Sequence, residues 1–161
     1  MHIKVLPFLI LSFLMFFALK TKAQDLPSNE EEYDSIYAIN IQLSKINGVY
    51  IPKDIEDAHR RILDLSPASS IKKFLAEEEK EVCAKLHFGI GRWMIINWNF
   101  YDGSRISHYL KTKGLSHPDD MAQYLLRTLH RKMNKKELDE VSIIEELLVE
   151  RKKEIESVYK N

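Results

Sequence analysis

Ser104 and His108 stand one helical turn apart, with Asp102 just ahead of the serine. A serine activated by a histidine that a carboxylate orients is the equipment of acyl transfer. On one short helix, however, the two side chains point roughly parallel, and a serine following Asp102-Gly103 has the position of a helix cap. The trio is therefore read as structural, and no catalytic residue is assigned. His59, His87, His108, His117 and His130 never fall at the three- or four-residue spacing that puts two ligands on one helix face, so no metal site is assigned either. Asp119-Asp120 and the run Glu77-Glu78-Glu79 supply neighbouring carboxylates, but glycoside hydrolysis needs two at a set separation across a cleft, and neighbours on a helix point apart. Gly89-Ile90-Gly91 begins like a dinucleotide loop, yet Met94 stands at the third glycine and no strand-rich stretch precedes it. Neither a phosphate-binding Gly-Lys-Ser/Thr loop nor a His-Glu-x-x-His pair occurs, and no cofactor is expected.

Binding is the chemistry that the remaining residues suit. Between Leu86 and Arg105 lie two tryptophans, two arginines and several Asn or Asp side chains. Arg92, Trp93, Asn97, Trp98 and Arg105 are the candidate binding residues, because buried aromatic and arginine anchors carry much of the energy of protein interfaces. The same residues could equally be core aromatics with arginines holding helix ends. As a helix, this stretch puts Arg92 with Ile96, Trp93 with Asn97, and Met94 with Trp98 on shared faces. Gly89 and Gly91 each cost about 1 kcal/mol there relative to alanine, which predicts a kink or a close backbone approach.

The elements that must position this cluster are helices. Residues 24–34 read as a loose acidic leader; Ile36, Ile39, Leu43 and Ile46 then recur at helical spacing up to Gly48, although Ile39, Ile41 and Leu43 also alternate as in a strand. Pro52-Lys53-Asp54 opens a helix through Ile55, Ala58, Ile62 and Leu63. Ser66-Pro67 ends it and starts the next, with Ser66 as cap and Pro67 in the first turn. Ser116-His117-Pro118-Asp119-Asp120 opens another, its carboxylates suiting the positive end of the helix dipole. Arg127, Arg131, Lys132, Lys135 and Lys136 read as a solvated basic face. A final helix begins near Glu137, and its Val141, Ile144, Leu148, Ile155 and Val158 form a stripe expected to pack on its own domain, being too short to claim a coiled coil, with dimerisation through it the alternative. The expectation is an all-α bundle of five to seven helices, divided as leader and first helix over 24–49, core over 50–136 and amphipathic helix over 137–161.

Residues 1–23 give the address. A basic start at Lys4, an apolar run from Val5 to Leu19, and Thr21 and Ala23 ahead of Gln24 have the layout of a secretory signal peptide. The run falls short of the roughly 20 residues of a spanning helix, so removal is expected rather than retention as an anchor. Three of the 24 basic residues and none of the 24 acidic ones lie before the cut, leaving a formal charge near −3. That balance argues against nucleic-acid binding, which draws on basic residues against phosphates. Cys83 is the single cysteine, expected to be a buried, inert thiol.

Three separated blocks, His87-Phe88-Gly89-x-Gly91-Arg92-Trp93 running on to Asn97-Trp98, Gly103-Ser104-Arg105-x-Ser107, and His117-Pro118-Asp119-Asp120-Met121, resemble a family of small bacterial helical domains of unknown function. The resemblance runs from about Tyr50 to about Arg131. It implies a compact helical domain and supplies no activity. Trp98-Asn99-Phe100-Tyr101 departs from the family's pattern, so a different local turn is expected there. The function expected is that of an exported, non-enzymatic domain binding a protein partner in the cell envelope. The competing expectation is a small envelope hydrolase acting through His87, His108 or Asp102 in a cleft.

Overall fold

Asn29 opens the first helix: its Oδ1 accepts the Glu32 N–H at 2.9 Å, and Glu30, Glu31 and Glu32 fill the first turn, where the helix dipole favours negative charge. The computed structural model describes residues 29–160. The expected export leader lies outside them. Helix α1 (Glu30–Asn40) thus begins inside the segment expected to be loose and ends before Leu43, correcting both boundaries. After it comes a hairpin, β1 (Lys45–Ile46) against β2 (Val49–Tyr50), and not a helix end at Gly48. Asn47 and Gly48 both take positive φ, 49° and 79°, as a tight two-residue hairpin turn requires.

Asp54 caps α2 (Ile55–Asp64) by accepting the Asp57 N–H at 2.9 Å, as the sequence predicts. Pro67, not Ser66, occupies the cap position of α3 (Ala68–Ala76); the Ser66 hydroxyl donates back to the Ile62 carbonyl at 2.7 Å instead. Helix α4 (Glu79–Leu86), a π-helical turn (His87–Gly91) and α5 (Arg92–Asn97) then run on without a break. Ser104 opens α6 (Arg105–Thr112) with a full capping box, its Oγ accepting from the Ser107 N–H while the Ser107 Oγ accepts from the Ser104 N–H. In α7 (Pro118–Met133) the cap is His117, whose Nδ1 accepts the Asp119 N–H at 3.3 Å, and Ser116 is displaced from that role. Helix α8 (Glu140–Tyr159) comes after Asp139. Counting the α4–π–α5 run once, the described residues hold seven helices and one small hairpin, an all-α bundle.

Helix α7 is the axis. It packs against α2, α3, α4, α5, α6 and α8, so most of its circumference is buried, including Met121, Leu125, Leu126 and Leu129. The solvated basic face expected here holds only in part: Lys132, Lys135 and Lys136 are exposed, but Arg127 and Arg131 are drawn into the fold. Arg127 is buried and donates to Glu79 and Glu146, Arg131 donates to the other oxygen of Glu79, and Lys132 pairs with Glu56. Packing brought carboxylates of α2, α4 and α8 onto that face, a long-range event that no local charge pattern announces. Cys83 is fully buried beside it, and burial, reinforced by Glu79, pushes its thiol up to about 12.

Helix α8 docks differently from its apolar pattern. Ile143 and Leu147 are its buried residues, and Ile144 is half-buried. Val141, Leu148, Ile155 and Val158, expected to face the core, are exposed. Ion pairs set this orientation: Glu140 receives Lys113 and the Tyr124 hydroxyl, Glu146 receives Arg127 and Lys80, and Arg151 grips Asp120.

Candidate functional site

The π turn divides the long helix so that its two sides serve different clefts. Gly91, the last residue of the turn, is buried in ordinary helical geometry, and an added Cβ would sit at contact distance, 3.4 Å, from His87 Nδ1 and the Leu86 carbonyl. π turns inside α-helices recur at functional sites. Leu86, Ile90, Trp93 and Asn97 succeed one another at four- or three-residue steps and are all half-buried, forming one shoulder of the helix. Lys85, Gly89, Arg92 and Ile96 form the exposed crest beside it, and Phe88 projects on the far side, 85% exposed.

On the shoulder side lies an apolar groove of about 450 Å³ between the end of α2, α3, α4 with the π turn, and α7. Leu65, Pro67, Ile71 and Phe74 make one wall, Val82, Leu86 and Ile90 the other, and Leu126 and Leu129 the floor, with Lys73 and Lys85 among its lining. On the Phe88 side lies a charged cleft of about 470 Å³ against the start of α7 and the middle of α8. There His87 Nε2 stands 3.3 Å from Asp119 Oδ1, and His117 Nδ1 stands 3.5 Å from the other Asp119 oxygen. Most of the other charges around the cleft are paired. Arg151 donates twice to Asp120, at 2.7 and 3.3 Å, and Lys80 and Arg127 hold the Glu146 carboxyl down to about 2. Glu79, between Arg127 and Arg131, is opposed by burial and still ends below the usual carboxylate range.

The five candidate residues separate. Trp98 is 1% exposed, in the core, stacked at a tilt with Phe100 at 6.4 Å. Trp93 meets it edge-on at 5.9 Å from the shoulder, and Asn97 donates to the Trp93 carbonyl at 2.9 Å. Arg92 is exposed and makes no ion pair among the described residues. Arg105 turns the other way. Its Nε donates to the Ile51 carbonyl at 2.7 Å, and its guanidinium lies over the Tyr50 ring at 5.0 Å, a ring that Arg61 also approaches at 5.6 Å. The Tyr50 hydroxyl in turn donates to Asp57 at 2.7 Å and is raised by that bond. Arg105 is thus a tie between α6 and the hairpin, and only Arg92, Trp93 and Asn97 stay together at the surface.

The Ser104, His108 and Asp102 set does not converge: Ser104 is spent on its capping box, and His108 Nδ1 faces the Tyr37 hydroxyl at 2.9 Å. Among the described residues no group of three or more His, Cys, Asp or Glu side chains is placed to hold a metal ion. None of the described helices is long and apolar enough to cross a membrane. The walls that α2 and α3 lend to the groove leave no mark in the sequence, because Leu65 and Ile71 read as ordinary apolar helix positions. Phe88 and Ile96 carry a usable signal: large apolar groups spaced with Arg92 on the polar side of the helix.

A family model described as a domain of unknown function, DUF6794, matches residues 51–133. The chain belongs to that family. No curated protein and no solved structure matches it. The DUF6794 span begins at Ile51, the residue that Arg105 holds, and ends at Met133, the last residue of α7. It therefore contains the apolar groove and the long helix with its π turn, while α1 and α8 lie outside it. The charged cleft is only partly a DUF6794 feature, since Leu147, Glu150, Arg151 and Glu154 come from α8.

Proposed function

We propose that this chain is an exported helical domain that works without catalysis, taking up an apolar segment of a protein partner in the cell envelope. The observation that carries the reading is the open groove inside the family span, walled by apolar side chains and continuous in helical spacing with Trp93 and Asn97. Grooves of a few hundred Å³ lined by apolar groups are the usual receptors for buried side-chain anchors. Export rests on the layout of residues 1–23. Arg92 and Ile96 on the crest would meet the rim of the bound segment.

Affinity capture from envelope extracts tests both halves, using the protein recovered from expression of the full chain as bait. Arg92→Glu combined with Ile96→Asp touches only exposed side chains, so the fold should survive and the captured partner should be lost. Capture undiminished by that change, or a full-length unprocessed chain found free in the cytosol, sinks the reading.

A second reading, a small envelope hydrolase, is favoured by one observation: His87 and Asp119 within 3.3 Å beside a cleft. The geometry argues against it. His87 Nδ1 is buried without a partner, its Nε2 faces Asp119, and the cleft lining contains no Ser, Thr or Cys to act as nucleophile.

A further inference from the structure

We infer that α8 is a self-association helix, pairing antiparallel with α8 of a second copy of this chain about a two-fold axis beside Leu148. The helix is poorly covered by its own bundle. Two of its 20 residues are buried, and residues 152–160 are exposed throughout. A helical end without tertiary cover is marginal in water, so a helix of this length calls for something along its open side. That side is not uniformly polar. Val141, Glu145, Leu148, Lys152, Ile155 and Tyr159 succeed one another by alternating four- and three-residue steps, which keeps them on one face, and all six are exposed.

The order of these residues selects the occupant. Val141 and Ile155 lie at equal distances on either side of Leu148. An antiparallel copy therefore sets Leu148 against itself and Val141 against the partner's Ile155. The same register brings Glu145 within one residue's rise, about 1.5 Å along the axis, of the partner's Lys152, within reach of two long side chains on the facing stripe, and the two-fold repeats the pair. Neither side chain has an ion pair within the described residues, so both charges are available. A parallel in-register pair would instead stack Glu145 on Glu145 and Lys152 on Lys152, which opposes association. Symmetric use of one patch on both subunits is what a closed dimer requires. Helix α8 lies outside the matched family span, so this dimer and the groove are independent features.

The test is sedimentation equilibrium on the protein recovered from expression of the full chain. Wild type should show twice the chain mass at concentrations on the order of 10 μM and above, where a small helical interface of modest affinity is populated. Glu145→Lys and Lys152→Glu should each weaken the dimer about tenfold by creating facing like charges, and the two together should restore it. Leu148→Glu should abolish it. All these side chains are exposed, so helical circular dichroism should not change. A monomeric wild type, single variants as tight as wild type, or a double variant as weak as the two singles combined would each overturn the antiparallel pairing.

Discussion

Replacing Arg127 by alanine probes the joint that holds α4, α7 and α8 together. The side chain is 3% exposed, its Nε lies 3.0 Å from Glu79 and its Nη2 lies 2.9 Å from Glu146. Removing one member of a buried ion pair leaves an uncompensated charge and costs about 3–5 kcal/mol. Arg131 remains 2.8 Å from the second Glu79 oxygen and Lys80 remains 2.7 Å from Glu146, so both carboxylates keep one cation. The lower figure, about 3 kcal/mol, is therefore expected, equivalent to a fall in Tm of roughly 6–15 °C for a domain of this size. Urea unfolding followed by circular dichroism reads it, with the slope unchanged. Acid titration gives a second arm. The Glu146 carboxyl lies near 2 in the folded chain against an ordinary 4.5, and Glu79 is also lowered. Carboxylates depressed on folding stabilise the fold above their unfolded value, and that stability is lost as pH falls through the folded value. Wild type should thus lose stability between about pH 4.5 and pH 2, and Arg127→Ala should lose less over the same window. A cost under about 1 kcal/mol, the range of an exposed pair, with an acid profile like that of wild type, would refute the argument.

Two glycines separate backbone strain from crowding. Gly103 and Gly114 both have positive φ, 90° and 96°, but an added methyl at Gly103 would overlap the Tyr37 ring while Gly114 faces open space. Gly114→Ala should cost about 1–2 kcal/mol from conformation alone, whereas Gly103→Ala should cost roughly 2 kcal/mol more and expose α1 to proteolysis; equal costs would contradict the packing of α1. Cys83 should resist a thiol reagent at pH 8 in the native protein and react at once in denaturant, since its thiol is buried and pushed up to about 12. Rapid labelling of the native state would show that the α4–α7 contact opens readily.

Local chemistry makes part of this fold legible in the sequence. Asp54, Ser104 and Pro118 announce their helix starts because a cap or an N1 proline acts within four residues, and the structure keeps all three helices. The first helix is harder to place, also for local reasons. Asn29 and the acidic run have the composition of a solvated leader, and Asn47-Gly48, a two-residue hairpin turn by its own φ values, has the composition of a helix stop. The candidate site is legible only in outline. Arg92, Trp93 and Asn97 are surface neighbours through spacing on one helix, which sequence contains. Trp98 went inward and Arg105 went to Ile51 because of contacts with distant elements, which spacing does not contain.

The same distinction explains how α8 came to present its apolar stripe outward. A helix with one apolar face normally turns it to the core. In α8 three polar anchors lie on a different face: Glu140 at its start, Glu146 in the middle and Arg151 beyond. Each meets a partly or fully buried residue of α7, namely Tyr124, Arg127 and Asp120, whose polar atoms would otherwise lie stranded beneath the helix. Rotating the stripe inward would strand the Asp120 carboxylate and the Tyr124 hydroxyl and leave Arg127 with Glu79 alone; an orphaned buried charge costs several kcal/mol, while burial of one aliphatic side chain returns about 2 kcal/mol. The outward stripe is then a consequence of satisfying α7, and its availability to a second copy arises from the same polar clasp.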